Sequence, residues 1–207
     1  MREKELRLAL VCYGGVSLAV YMHGVTKEVW RLARASRDFC AFAERGSEGG
    51  SQSVYRALLQ ACHDEADLKL RVLPDIISGA SAGGINGIFL AQAIETGQSL
   101  DPLTELWLSR ADADVLLDPD ARPLSRFTKF WAAPILWLLM RRRGDTVDKT
   151  VSPETREEVR RKLSNFVRGR WFAPPFGGKG FSRLMLDAFD AMEAGSAGEP
   201  LLPNGHP

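Results

Sequence analysis

Residues 72–95 read VLPDIISGASAGGINGIFLAQAIE, and two changes of character inside this stretch decide the fold. Val72 to Ser78 is a short apolar run with β-branched residues, which reads as a buried strand, with Pro74 at its start or edge. Gly79 to Gly84 is a tight turn of small residues. From Ile85 to Glu95 the apolar residues Ile85, Ile88, Phe89 and Ala93 fall near helical spacing. Strand, sharp bend and helix in that order form the local layout of a nucleophile elbow. The bend is so tight that residues two before and two after the nucleophile must be small. Gly79 and Gly83 hold those positions about Ser81, and Ala80, Ala82 and Gly84 are also small. Such a turn would hold the Ser81 hydroxyl outward at the helix N-terminus, where unpaired N–H groups favour developing negative charge. The competing reading is a turn that merely packs a helix closely on a sheet. Ser78, at the strand end, is read as a local hydrogen-bonding residue.

Upstream, Leu6 to Cys12 is a second short apolar run, and Tyr13-Gly14-Gly15-Val16-Ser17 follows it. Adjacent glycines there leave N–H groups able to face an anion. Dinucleotide and phosphate-loop patterns both fail, because no third glycine follows at the required spacing and no Gly-Lys-Ser/Thr run occurs. Val16 to Phe42 is helical in spacing, with Gly24 inside it. Residues 46–53 read as a flexible loop and Val54 to Ala61 as a helix. Further helices are expected over Leu103 to Leu108, Thr128 to Arg143, Pro153 to Val167 and Phe181 to Ala194. Gly195 to Pro207 has no element of its own. Strands separated by helices predict an α/β layered fold with a central, mostly parallel sheet flanked by helices. Its two glycine turns would meet where loops at strand C-termini form a crevice. Two strands make a small sheet, so the fold is expected to be incomplete at the C-terminus.

The 207 residues fit one ordinary domain, 45% hydrophobic and 26% charged. The net charge of +1 argues against a nucleic-acid partner. Three cysteines, Cys12, Cys40 and Cys62, form no CxxC pair and read as reduced thiols of a cytoplasmic protein. The N-terminus lacks the form of a secretory signal, and no apolar run is long enough to span a bilayer. No ligand cluster suggests a metal, and no cofactor is expected.

LALVCYGGVSLAVYMHGVTKEVW and PDIISGASAGGINGIFLA together resemble the patatin-like phospholipase family. That resemblance implies a serine lipid-acyl hydrolase working through a Ser-Asp dyad without histidine, on a lipid or phospholipid ester. It implies Ser81 as the nucleophile and Gly14, Gly15 and Val16 as the oxyanion loop. Val16 departs from a third glycine, and Leu18 stands where the family often carries a basic residue. The family's aspartate usually lies in an Asp-Gly motif, and no Asp-Gly dipeptide occurs here. Asp187 and Asp190 read as a helix's polar face, and Asp145 and Asp148 as loop or cap residues. Residues 1–207 are therefore expected to be the N-terminal part of a patatin-like catalytic domain, with a helical insertion or lid around 101–180 and the dyad aspartate beyond Pro207.

Two alternatives stand beside this. One is a catalytically inactive module of the same fold that binds lipid or protein. The other is an α/β-hydrolase esterase with a Ser-Asp-His triad, for which His206 is the histidine after Ser81, while His23 and His63 read as structural and solvated. Phe130 to Arg143 pairs an apolar stretch carrying Trp131 and Trp137 with Arg141-Arg142-Arg143, a pattern suited to peripheral membrane contact or to a buried helix.

Overall fold

A computed structural model describes residues 2–15, 18–41, 50–110, 178–195 and 197–203. The elements are β1 (Arg2–Tyr13), α1 (Ala19–Cys40), α2 (Ser51–Ala66), β2 (Leu68–Ala80), α3 (Ala82–Thr96), α4 (Pro102–Arg110) and α5 (Gly178–Glu193). The fold is α/β, with β1 and β2 paired in parallel and helices α1 and α2 in the connection between them. The helices expected over 128–143 and 153–167, the apolar-basic stretch 130–143, Val16, Asp145, Asp148 and His206 lie outside the described residues.

Both strands are longer than their apolar centres predict. Arg2-Glu3-Lys4-Glu5 pairs with Leu68-Lys69-Leu70-Arg71, residue for residue. Charged side chains hide these ends in the sequence, yet the backbone ladder continues through them because the β1 end is solvent-exposed on both faces. Pro74 is likewise not a strand start. It sits mid-strand opposite Leu8, and the register slips there so that Ala9 faces Ile76. Proline offers no N–H to a ladder, so a bulge is where a strand tolerates it. The extra residue is Asp75, whose nearly buried carboxylate accepts a 2.6 Å hydrogen bond from Arg7 Nε.

The slip sets the two faces beyond it. Leu8 and Leu10, half-buried, and Cys12, buried, turn inward, while Ala9, Val11 and Tyr13 face outward with Ile76. Helix α1 packs on α2, α3, α4 and β2, and α3 packs on both strands. The core gathers Trp30 and Ala33 of α1, Leu73 of β2, Phe89, Leu90 and Ala93 of α3, and Leu103 and Trp107 of α4. Phe89 is its hub, edge-on to Phe189 at 5.3 Å and tilted against Trp107 at 6.3 Å.

Ser36 of α1 serves β2 directly. Fully buried, it accepts from the Val72 amide at 2.7 Å and donates to the Leu70 carbonyl at 3.2 Å. A side-chain hydroxyl here pairs backbone groups of the strand, and the Leu70 carbonyl also receives the Cys40 thiol at 3.7 Å. The described residues after α5 form no helix or strand, as the segment's glycines and prolines predict, but they are fastened. The Gly198 amide donates to the Gly97 carbonyl and the Leu201 amide to the Ile94 carbonyl, both at 2.8 Å. Leu201 is buried.

The chain divides into two compact units, residues 1–111 with 186–207, and residues 112–185. Of the second unit the described residues are 178–185, the first turns of α5.

Candidate active site

Ser81 stands alone between β2 and α3, and its backbone is strained. Its φ of 54° and ψ of −129° lie in a region that L-residues seldom occupy. Such a conformation costs about 1–3 kcal/mol and persists only where the surroundings fix both flanks. Here β2 fixes one flank, and the Ile85 amide, donating to the Ser81 carbonyl at 3.1 Å, begins the helix on the other. A serine before a helix commonly folds its hydroxyl back on the helix's free amides. Ser81 makes no such cap, and its side chain is exposed. Among the described residues no side chain hydrogen-bonds this hydroxyl.

Interlocking glycines explain why the bend can be so sharp. A Cβ on Gly79 would lie 2.7 Å from the Gly83 carbonyl atoms and the Gly84 nitrogen. One on Gly83 would lie 2.2 Å from the Cys12 oxygen, at the end of β1. A Cβ on Gly14 would lie 2.2 Å from the Ala80 oxygen and 2.5 Å from the Gly83 nitrogen. Backbone thus lies on backbone at all three places, and the turn after β1 is brought against the turn after β2. Register says the same, since the ladder ends on Cys12 opposite Gly79 and Tyr13 opposite Ala80. Ala80 is exposed and Ala82 is buried, so the chain passes from surface to core across Ser81. Gly15 differs from its neighbour. A Cβ there would make only an ordinary 3.7 Å contact with Leu18. The Leu18 amide closes the turn on the Gly15 carbonyl at 2.9 Å.

Chemically, this arrangement offers an exposed hydroxyl at the start of a 15-residue helix whose first amides have no intrahelical acceptor. Gly14 lies at their edge. An oxygen developing negative charge there would meet N–H groups and the positive helix end.

One supporting residue was missed in the sequence. Asn86 is 1% exposed, and its amide donates to the Ala82 carbonyl at 3.0 Å and the Ala19 carbonyl at 3.2 Å. It ties the start of α1, just past the glycine turn, to the start of α3, just past Ser81. The signal was available: an amide among the apolar and small residues of the helix's first turns (Ile85-Asn86-Gly87-Ile88). Gly87 beside it admits Ile77, whose methyl would lie 3.0 Å from an added Cβ.

His23 is structural, as expected. It is buried, with Nε2 at 3.1 Å from the Thr104 hydroxyl, which also accepts from Lys27 at 2.8 Å. Burial, then the Lys27 charge, lower its pKa to about 4 against the opposing pull of Asp101. The imidazole is neutral at pH 7. Lys27 also pairs with Asp101 at 2.6 Å, which fastens α1 to the start of α4. His63 is not simply solvated. It is half-buried, edge-on to Phe39, and its Nδ1 is buried without a partner among the described residues. Asp187 is half-buried and Asp190 exposed. All three cysteines are free thiols. Among the described residues no cluster of three His, Cys, Asp or Glu side chains is placed to hold a metal.

The sequence model of the patatin-like phospholipase family matches residues 10–194, a span that includes both glycine turns and Ser81. The chain belongs to this family. Patatin-like phospholipases are lipid-acyl hydrolases in general, and the α/β fold with its parallel strands is the family's. The chain is also 40% identical over 124 residues to an uncharacterized membrane protein of Mycobacterium tuberculosis, Rv3479. That alignment covers 56% of this chain and 11% of the relative. The chain thus spans about a tenth of that protein's length. No solved structure matches this chain significantly. Among its described residues no helix is long and apolar enough to cross a membrane.

Proposed function

We propose that this chain carries the nucleophile and oxyanion loop of a serine lipid-acyl hydrolase, with Ser81 as the nucleophile. The observation that carries this reading is the strained, uncapped, exposed Ser81 packed against the glycine turn of β1. A base accepts the Ser81 proton while the oxygen attacks the carbonyl carbon of a lipid ester. Amides of Gly14 and Gly15 face the resulting oxyanion together with the first amides of α3; the family resemblance adds Val16 to this loop. Collapse of the tetrahedral species expels the alcohol and leaves an acyl-serine, which water hydrolyses to a fatty acid. No cofactor enters these steps. The family's base is an aspartate, and among the described residues none bonds to Ser81.

A second reading, a lipid- or protein-binding module that keeps the fold without turnover, draws on that same unpartnered hydroxyl. A fluorophosphonate probe applied to the full-length protein separates the two. Labelling that disappears in Ser81→Ala fits the hydrolase, and a wild-type protein that never labels fits the module.

A further inference from the structure

Asn86 is a costly residue for its place. It is 1% exposed in the first turns of α3, and its Oδ1 is buried without a hydrogen-bond partner among the described residues. The amide has one possible orientation. Nδ2 lies 3.0 Å from the Ala82 carbonyl and 3.2 Å from the Ala19 carbonyl, and two carbonyls can be met only by the NH2 end. An unpaired acceptor in a core is destabilising, and an apolar side chain of similar shape would remove it.

Nor do the two carbonyls need this amide. Ala19 and Ala82 each open a helix, so the helical ladder already gives their carbonyls the amide four residues on. What the NH2 group adds is a tie between residues 67 positions apart in the chain. One proton goes to each helix start, and a hydroxyl, with a single proton, cannot serve both.

The tie bears on the loop whose amides would meet the oxyanion. One end of that loop is fixed without it, because Gly14 lies on the backbone of Ala80 and Gly83. Gly15 has no such contact. Its carbonyl accepts the Leu18 amide at 2.9 Å, and the next residue is Ala19. Asn86 therefore holds the far end of the loop, through Ala19, to the residue that follows Ser81. We propose that Asn86 is a positioning residue that sets the reach from the Gly15 amide to the oxyanion formed at Ser81, an inference that rests on the hydrolase reading above. It touches no reacting atom. Stability alone would favour leucine at this position, and placement of the loop favours asparagine.

The test uses the full-length protein, hydrolysis of 4-nitrophenyl butyrate and the rate of fluorophosphonate labelling. Asn86→Leu removes both ties and the unpaired oxygen, and Asn86→Ser keeps a single donor. Each should leave KM within about two-fold of wild type and lower kcat at least about ten-fold, because oxyanion contacts are made in the transition state. Labelling should slow by a similar factor. The urea midpoint of Asn86→Leu should equal or exceed that of wild type, an outcome that a merely structural residue does not give. Amide hydrogen exchange should quicken at Gly15 in both variants while Val72, in the strand core, keeps its protection. If Asn86→Leu does not fold, the kinetic split and the Gly15 exchange of Asn86→Ser decide. Wild-type kcat in the variants, or a loss of kcat accompanied by lost protection at Val72, overturns the inference. The two failures are distinguishable. An active wild type with unimpaired Asn86→Leu defeats this inference alone, whereas a wild type without Ser81-dependent labelling defeats the hydrolase reading and this inference with it.

Discussion

The α-carbon of Gly83 lies so close to the end of β1 that a methyl group on it would stand 2.2 Å from the Cys12 carbonyl oxygen. No rotation of a side chain relieves that contact, because both sides are backbone. Gly83→Ala must therefore move α3 off the strand, and it should destabilise the protein by about 3 kcal/mol or more. Gly15→Ala, with only a 3.7 Å contact to a leucine side chain, should stay within about 0.5 kcal/mol of wild type. Urea denaturation of both variants checks the contrast, and equal losses would contradict the described packing.

Under the proposed hydrolase reading, the strain at Ser81 sets stability against activity. Glycine occupies φ near 54° without penalty, so Ser81→Gly releases the strain at that residue, partly offset by glycine's extra chain entropy when unfolded. We expect a net gain of about 1 kcal/mol, seen as a thermal midpoint raised by a few degrees, with fluorophosphonate labelling abolished. A variant that unfolds earlier than wild type would mean that the serine side chain itself holds the turn.

His23 makes stability depend on pH. Its folded pKa of about 4 lies below the ordinary value of 6.5, so the unfolded chain binds the proton more readily. Above pH 6.5 both states are neutral and the residue contributes no slope. As pH falls from 6.5 to 4 the unfolded state gains protons first, and stability drops by an amount on the order of 3 kcal/mol. Below 4 both states are protonated and this slope ends. Denaturation of His23→Gln across pH 7 to 4 should show a flatter profile, and an unchanged slope would assign the pH dependence to other groups.

Ser36 bridges α1 to the β2 backbone. Ser36→Ala leaves the buried Val72 amide and Leu70 carbonyl without that hydroxyl, at a cost of about 1–3 kcal/mol. Amide hydrogen exchange is the sharper readout, because Val72 should lose protection beyond what the global change explains.

The bend around Ser81, the strand before it and the helix after it were legible from the small residues about Ser81 and the apolar spacing on either side, because a turn this tight excludes side chains. The apolar centres of both strands were legible for the same kind of reason, since burial selects residue type. Their charged outer ends were not. A ladder is made by backbone, and Glu3 opposite Lys69 carries no apolar signal. Nor was the place of Pro74, which only the neighbouring strand could turn into a bulge.

By itself, then, the sequence determined the local geometry of Ser81 and the family to which that geometry belongs, since sterics between neighbours in the chain are written in residue size. Only the tertiary structure decided that Gly14 lies on Ala80, that Asn86 ties one helix start to the other, and that Gly83 lies on Cys12. Those facts join residues about 70 positions apart, and no short-range rule of spacing can convey which backbone will come to rest on which.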